Sequence, residues 1–322
     1  MSGTSTARMS IPSAQQVVVT GIGLALPGVA KYGDLLGSLP VEGGFDPATG
    51  LRGREMRHKD RASRLALRAA ESALHDAGLT DAHTTFTGVA GATAVVVSTN
   101  LGNVDSVCEA ADTIAREGVR GLSPLGLPQT SSNVVAGWVA IRYGLRGPNL
   151  TVCNGVTSGL DALAWARNLI GAGRADAAVV VGVEPANDVA TKLLGEQSTD
   201  AAVAVVLEPA GAAVCRGARP RATIAGYARA RDLAAALACA GVTEEESVGL
   251  WLGDEAGAGA GQLLAGTRRI DLEAQLGPLS GALGVLQCAA GAAYLEIDAT
   301  GNVLATAGGP RHDAAAALLL TP

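Results

Sequence analysis

The chain has 322 residues, of which 48% are hydrophobic, so it is long enough for two ordinary domains or one large duplicated domain with a buried core. Its net charge of -6 offers no basic surface for phosphates, which argues against nucleic-acid binding. No apolar run reaches membrane-spanning length, and no signal peptide is expected before Val17. The five cysteines are widely spaced and form no C-x-x-C pair, so we expect a reduced, cytoplasmic protein without a disulfide framework.

Strands and helices alternate along the first two thirds of the chain. Apolar runs bounded by glycine or proline predict strands, and apolar residues repeating every three or four positions predict helices. The predicted strands cover residues 16–28, 88–102, 176–185 and 200–209. The predicted helices cover residues 61–79, about 104–117 and 132–143. The last two strands are apolar throughout, which indicates an α/β fold with helices on both faces of a sheet.

The same order of elements resumes after residue 209 in a shorter form. Strands are predicted over residues 221–230, 248–254, 304–310 and 314–322, and helices over 232–241 and 283–297. We place the boundary in the Gly/Pro/Arg-rich stretch 209–221. The sequence thus predicts two related halves, residues 1–208 and 209–322, within one compact unit.

Residues 151–169, TVCNGVTSGLDALAWARNL, are predicted to form a strand that turns sharply at Gly155 and continues as a helix. Several enzyme folds present a reactive side chain at such a turn. The residues at the apex are Gly155, Val156 and Thr157, and none is an obvious nucleophile. Cys153 follows an apolar run and is expected to be a small buried hydrophobe.

A serine-type hydrolase is one alternative that this segment leaves open. GVTSG is similar to the G-x-S-x-G turn of hydrolases, but its serine stands one place late. The chain contains four histidines, His58, His75, His83 and His312. His58 and His75 are expected to be solvated surface residues and His83 lies in a polar loop, so the hydrolase alternative pairs Ser158 or Thr157 with His312 as its base.

No metal and no cofactor are expected. The histidines and cysteines show no convergent spacing of the kind that binds a metal ion. The glycine-rich segment 253–266 lacks the Lys and Ser/Thr of a phosphate-binding loop and is expected to be a flexible connection.

Long segments of the chain resemble the β-ketoacyl-acyl-carrier-protein synthases of the thiolase fold. The resemblance is carried by VVVTGIGLALPG, by REMRHKDRASRLALRAAESALHDAGL and by the run from SPLGLPQTSSN to VVVGVEP, in the family's order. It covers nearly all of the first 210 residues and thins out beyond them. It implies an α/β, thiolase-like duplicated five-layer α-β-α-β-α fold that is truncated in the C-terminal half.

The three catalytic positions of that family carry other residues here. Family members place a cysteine at the turn in sequences such as A-C-T-S-G, and GVTSG puts Val156 there. Their H-G-T-G-T segment resembles GDEAGAG, with Asp254 near the first histidine position. Their G-H-x-x-G-A-A-G segment resembles SGALGVLQCAAGA, with Ala282 in place of the second histidine. The resemblance therefore implies the loss of both the acylated thiol and the imidazoles that stabilise negative charge.

This combination resembles the chain-length factors of type II polyketide synthases, which are catalytically silent partners of an active ketosynthase. It implies a heterodimer with an active ketosynthase subunit, joined through the strand and helices near the turn, and transient contact with an acyl carrier protein. The run GEQSTDAAVAVVLEP lacks most of the loop found in other family members, and in this the chain resembles silent subunits paired with ketosynthases that make reduced polyenes. Chain-length factors often carry glutamine at the turn, so Val156 departs from their pattern.

The segment 97–112 resembles the place where chain-length factors limit the length of the acyl tunnel. The residues expected to line that tunnel are Val104, Ser106, Val107 and Cys108, whose small side chains favour a long acyl chain. The residues expected near the partner subunit are Gln129, Thr130 and Asn133. The same pattern in 104–108 also fits ordinary core contacts of an amphipathic helix, and this alternative stays open.

A third hypothesis is a self-associating structural protein that binds a carrier protein or a fatty chain without any ketosynthase. Size-exclusion chromatography separates it from the heterodimer, because only the heterodimer requires a ketosynthase to form a stable 1:1 pair.

Overall fold

The computed structural model of the chain describes most of the sequence. The described residues are 16–39, 45–47, 49, 51, 56, 59–242, 248–253, 264, 266–298 and 301–322. The strands are β1 (Val17–Ala25), β2 (Thr93–Ser98), β3 (Asn149–Val152), β4 (Ala177–Glu184), β5 (Ala201–Pro209), β6 (Ala222–Ala230), β7 (Val248–Leu252), β8 (Arg268–Ile270), β9 (Asn302–Gly308) and β10 (Ala315–Thr321). The helices are α1 (Arg61–Asp76), α2 (Val104–Glu117), α3 (Val134–Tyr143), α4 (Ser158–Gly171), α5 (Asp188–Leu194), α6 (Ala210–Cys215), α7 (Leu233–Ala240), α8 (Leu272–Leu276) and α9 (Leu283–Ile297).

The strand order shows an internal duplication. The strands follow one another as β3-β2-β4-β5-β1-β6-β10-β9-β7-β8. When the second five strands are numbered from their own first member, their order is the reverse of the first five. The two sets join where β1 and β6 pair antiparallel, at Val18 with Thr223 and Val19 with Ala222. The first set spans residues 17–209 and the second 222–321, so the repeat is shorter in the second half.

Five layers follow from the packing of the helices on these strands. Helices α4 and α9 share the largest apolar cluster with strands of both sets, so they lie between them. Helices α1 and α3 cover the other face of the first set, and α7 covers the other face of the second. The predicted duplicated α-β-α-β-α fold is confirmed. Its core is built largely from Ala, Val and Leu, which suits close packing of helices on sheets.

The two central helices cross almost backbone to backbone near their N-termini. A Cβ atom added to Gly159 of α4 would lie 2.6 Å from the backbone nitrogen of Gly284 in α9. A Cβ atom on Gly284 would lie 2.3 Å from the backbone nitrogen of Leu160. Only glycine fits at this crossing, because real side chains do not approach backbone so closely.

The long periodic elements agree with the sequence prediction, and four short elements were missed. Helix α1 begins at Arg61, as predicted, and the side chain of Asp60 before it accepts a hydrogen bond from the backbone nitrogen of Ser63 at 2.6 Å. Gly78 lies just after the end of the helix and has φ +67°. The sequence analysis did not identify α5, α6, α8 or β8. These elements have three to seven residues, too few for a periodic pattern to stand out.

Candidate functional site

The turn at residues 153–158, which we call the elbow, lies between β3 and the N-terminus of α4. Gly155–Thr157 form a single 3₁₀ turn, and Gly155 has φ +69°, a conformation that favours glycine. Val156 is half-buried at the apex, as the sequence analysis predicts. Its isopropyl group presents no atom that could carry an acyl group or transfer a proton.

Asn100 holds the elbow in place. This residue follows β2, and its side-chain Nδ2 donates to the carbonyl oxygen of Gly155 at 2.9 Å and to Oγ of Ser280 at 2.8 Å. Its Oδ1 accepts from the backbone nitrogen of Gly155 at 3.1 Å and from Oγ of Ser158 at 3.0 Å. One amide therefore connects three turns that come from distant parts of the sequence.

A buried carboxylate supports two of these turns, the one at Asn100 and the one before α9. Glu184, the last residue of β4, is only 3% exposed. Its oxygens accept from the backbone nitrogens of Asn100 at 2.6 Å, Leu101 at 3.0 Å and Gly281 at 2.9 Å. Burial raises the pKa of Glu184 to about 7, although these hydrogen bonds favour the ionised form.

A second buried carboxylate, Asp161, lies one turn inside α4. It accepts hydrogen bonds from Nδ2 of Asn154 at 2.8 Å, from Oγ1 of Thr157 at 2.9 Å and from the hydroxyl of Tyr227 on β6. Nε of Arg229 lies 3.7 Å from the same carboxylate. Burial, followed by the bond to Asp161, raises the pKa of the Tyr227 hydroxyl, so Tyr227 remains a proton donor. This network connects the elbow to the second half.

The geometry gives no support to a serine hydrolase. Ser158 is fully buried, and its hydroxyl accepts from the backbone of Asn154 at 2.7 Å and contacts Asn100 and the carbonyl of Gly155. The Thr157 hydroxyl donates its hydrogen bond to the carboxylate of Asp161. His312 is exposed on the loop that follows β9. Ser158 therefore caps the turn instead of serving as a nucleophile.

Cys153 is exposed, so the expectation of a buried hydrophobe was wrong. The apolar strand ends at Val152, and the cysteine already belongs to the turn. The desolvation that its sulfur does experience raises the pKa of Cys153, and the negative charge of Glu184 adds to the shift. The reactive thiolate is therefore disfavoured.

The two sequence-predicted histidine positions have different outcomes. Asp254 lies outside the described residues. Ala282 is fully buried in the central apolar cluster, and its Cα would lie 3.0 Å from a Cβ atom added to Gly182 on β4. The neighbouring Gly281 and Ser280 contact Glu184 and Asn100, so the turn before α9 meets the elbow while the Ala282 side chain points into the core.

Helix α2 carries the predicted tunnel residues and has no buried residue along its 14 positions. Val107, Ala111, Ile114 and Ala115 are all exposed, and their spacing places them on one face. Ser106, Ala110 and Thr113 follow the opposite face and line a cavity. The helix thus turns its apolar face outward, and the alternative of core contacts is excluded for Val107. Val104 and Cys108 are half-buried beside it.

The cavity under α2 has a volume of about 500 Å³ and includes two of the predicted interface residues. Gln129 is buried, and its Oε1 accepts from Nε1 of Trp138 at 3.3 Å. Thr130 is half-buried at the cavity wall, whereas Asn133 is exposed outside it. The structure therefore brings Ser106, Gln129 and Thr130 together and leaves Asn133 apart.

Asn100, Glu184 and Asp161 are the site residues that sequence reasoning missed. A signal existed, because Asn100 and Glu184 are polar residues at the ends of apolar strands. Within the part of the chain that the structure describes, no group of three His, Cys, Asp or Glu side chains could hold a metal ion. None of the described helices is both long and apolar enough to cross a membrane.

The duplicated sheet and the elbow define a ketosynthase-like fold, and comparison with known families agrees. The model of the β-ketoacyl synthase N-terminal domain matches residues 28–202, more than half of the chain. The chain belongs to the β-ketoacyl synthase family.

The similar proteins include a curated enzyme and two solved structures. The chain is 27% identical to 3-oxoacyl-[acyl-carrier-protein] synthase 2 of Coxiella burnetii over 54% of this chain, and spans 46% of that relative's length. It is similar to the ishigamide ketosynthase/chain length factor, with a TM-score of 0.73 and 25% identity over 95% of this chain and 99% of the other. A type II polyketide synthase acyl-carrier protein in complex with its ketosynthase bound to the hexaketide gives a TM-score of 0.76, with 18% identity and the same coverage.

Proposed function

We propose that this chain is a noncatalytic chain-length factor that pairs with an active ketosynthase and shapes an acyl tunnel at the heterodimer interface. The observation that carries the proposal is Val156 at the apex of the elbow, where the family's cysteine would stand. The support of that position is kept: Asn100 and Asp161 hold the elbow with hydrogen bonds, and Glu184 holds the backbone of Asn100. The scaffold is kept, but the side chain at the apex of the elbow cannot bear a thioester.

The histidine positions support the same conclusion. The G-H-x-x-G-A-A-G pattern fits Gly277, Gly281, Ala282 and Gly284 when it begins at Gly277. This alignment puts the second histidine at Pro278 instead of Ala282, in agreement with the burial of Ala282 in the core. Neither proline nor alanine can donate a hydrogen bond to a developing oxyanion. Asp254, near the first position, would bring negative charge where positive charge is needed.

The edge of the sheet supports a paired state. Strand β3 lies at the edge, and β2 is its hydrogen-bonded neighbour. The Thr151 hydroxyl on this strand is buried without a hydrogen-bond partner. An unprotected edge strand and an outward apolar helix face are both surfaces that proteins usually cover. We assign this edge, with Asn133 and α2, to the interface with an active ketosynthase subunit. The resulting complex would bind an acyl carrier protein transiently.

The tunnel wall is assigned to the face of α2 that turns outward. Val104, Val107 and Cys108 lie on or beside that face, and their short side chains leave room for a long acyl chain. Ser106 faces the cavity under the helix and is assigned to its wall instead. The short loop before β5, between α5 and Ala201, resembles that of silent subunits paired with polyene-making ketosynthases, and on this resemblance we assign a linear, polyene-type polyketide as the product class.

Intact-protein mass spectrometry after incubation with an acyl-loaded carrier protein tests the missing chemistry. We expect no acyl adduct on the wild-type chain, and no condensation by Val156→Cys alone, because the imidazoles remain absent. The ketosynthase encoded nearest to this chain's gene, with an intact Cys-His-His set, is the positive control and should acquire the adduct. A covalent acyl intermediate on the wild-type chain would overturn the proposal.

Coexpression with that ketosynthase tests the partnership. The expected result is a stable 1:1 pair in size-exclusion chromatography and condensation activity that requires both chains. A chain that forms only complexes with itself, and leaves the ketosynthase unpaired and fully active, would contradict the heterodimer.

A further inference from the structure

The cavity under α2 lies on the other side of the helix from Val107 and Ile114, away from the face assigned to the acyl tunnel. Its volume of about 500 Å³ is in the range of small-molecule sites. One wall is formed by α2 and another by the loop 121–130, while Lys59 and Asp60 lie just before α1. Most of the described lining residues are polar. The cavity therefore suits a small polar molecule.

The wall formed by α2 is acidic. Asp105 and Glu109 lie one helical turn apart, and both line the cavity. Neither carboxylate forms an ion pair with another residue in the described part of the chain. Asp60 also lines the cavity, and burial raises its pKa, which the negative charge of Asp105 raises further. These carboxylates repel one another, and a bound cation would relieve the repulsion.

The cations of this region leave the cavity with an excess of negative charge. Lys59 belongs to the described lining, but it is only 5% exposed and its Nζ lies 3.6 Å from the centre of the Trp138 ring. Arg116 and Arg120 are exposed on the same segment as α2, and neither belongs to the described lining. The described lining therefore holds three carboxyl groups and one ammonium group.

A buried amide on the loop wall provides a hydrogen-bond donor. Gln129 is only 6% exposed and lines the cavity. Its Oε1 accepts from Nε1 of Trp138 at 3.3 Å, which fixes Nε2 as the donor end of the amide. Nε2 donates to no described residue and is not sealed inside the protein, so it opens to the cavity. Such a donor is satisfied by an acceptor atom of a bound molecule.

We propose that this cavity binds a small organic cation with an ammonium group at one end and an acceptor oxygen at the other, of which an amino alcohol is the simplest example. The carboxylates of Asp105 and Glu109 hold the ammonium group, and Nε2 of Gln129 donates to the oxygen. A metal ion is not the ligand, because no group of three His, Cys, Asp or Glu among the described residues could hold one. The site is independent of the proposed function, since it faces away from the tunnel and needs no partner subunit.

NMR titration of the full ¹⁵N-labelled chain with 4-amino-1-butanol tests the site. The wild type should bind this amino alcohol at one saturable site with a dissociation constant on the order of 1 mM. The backbone amide signals of Ser106 and Thr130, which both line the cavity, should shift on binding. 1-Butylamine lacks the oxygen and 1,4-butanediol lacks the charge, so each should bind at least about fivefold more weakly.

Neutral variants test the acidic wall. Asp105→Asn/Glu109→Gln should weaken binding by about tenfold or more, because the ammonium group loses both carboxylates. The matched control is Asp112→Asn/Glu196→Gln, which makes the same change in net charge at exposed positions outside the described lining. The control should change the affinity by less than about twofold, since exposed charges outside the cavity are screened.

Two further variants test the amide and the cavity itself. Gln129→Leu removes the donor, and Ala110→Phe fills the cavity from α2 without removing a polar group. Each should weaken binding by at least about fivefold. Circular dichroism of every free variant checks that the chain still folds, so that a loss of binding cannot come from unfolding.

Several results would overturn the site. One is the absence of saturable binding of 4-amino-1-butanol to the wild type, and another is equal binding by the wild type and Asp105→Asn/Glu109→Gln. Equal affinity for 1-butylamine would show that Gln129 recognises no oxygen and would overturn it as well. None of these results bears on the heterodimer, because the assay contains no ketosynthase.

Discussion

The central layer and the α2 lobe, residues 103–133, differ strongly in how deeply their side chains are buried. In the central layer, α4 and α9 cross at Gly159 and Gly284 with no room for a Cβ atom, and Asn100 and Glu184 hold the surrounding turns. In the α2 lobe, the apolar face of a 14-residue helix points to solvent. The central layer is stabilised by contacts within the chain, whereas the α2 lobe keeps large apolar side chains exposed.

The largest expected effect is at the helix crossing. Gly159→Val would push side-chain atoms into the backbone of Gly284, and we expect the free energy of unfolding to fall by about 4 kcal/mol, beyond the usual cost of overpacking. Urea denaturation followed by circular dichroism measures it. Gly137→Ala is the matched control, since a Cβ atom there meets nothing within 4 Å and alanine favours the interior of α3. Equal stability of both variants would show that the crossing can relax.

The next effect concerns the buried carboxylate. Glu184→Ala leaves the backbone N–H groups of Asn100, Leu101 and Gly281 without their acceptor, and we expect a loss of about 3 kcal/mol. Urea denaturation at pH 7 gives the value. A loss below about 1 kcal/mol would mean that water replaces the carboxylate without cost.

The same carboxylate should make stability depend on pH. The pKa of Glu184 in the folded chain, about 7, lies above its ordinary value of 4.5, so the folded state binds the proton more tightly. Its contribution to the free energy of unfolding is therefore full below pH 4.5 and is lost as pH rises toward 7, by up to about 3 kcal/mol. Denaturation at pH 5 and pH 8 should show this decrease in the wild type and a smaller one in Glu184→Gln. Identical slopes would rule it out.

A smaller effect is expected from the amide that connects the turns. Asn100→Ala removes four hydrogen bonds around the elbow and should cost about 2 kcal/mol. Asn168→Ala, an exposed asparagine on α4, is the control and should change stability by less than about 0.5 kcal/mol. Hydrogen exchange at Gly155 should rise in the first variant alone. Unchanged exchange there would mean that Asn100 is not what holds the elbow.

The smallest effect on stability is expected in the α2 lobe. Val107→Ser/Ile114→Ser should change the free energy of unfolding of the isolated chain by less than about 0.5 kcal/mol, since both side chains are already exposed. The same variant should weaken ketosynthase binding strongly. A large loss of stability without any change in binding would show that this face packs within the chain and would remove the contrast between the two regions.

The long elements, the duplication and the place of Val156 in the turn could be predicted from the amino acids alone, because periodicity and strand-turn-helix boundaries are local properties. The sequence also placed α2 at residues 104–117, in agreement with the structure. The direction in which α2 faces became known from the packed fold, since a periodic pattern identifies an apolar face but not what that face contacts. The packed fold likewise decided that Ala282 is core, that Cys153 is exposed, and that Asn100 and Glu184 support the elbow. Those outcomes depend on contacts between residues separated by as many as 183 positions in the sequence, and a local pattern cannot predict such contacts.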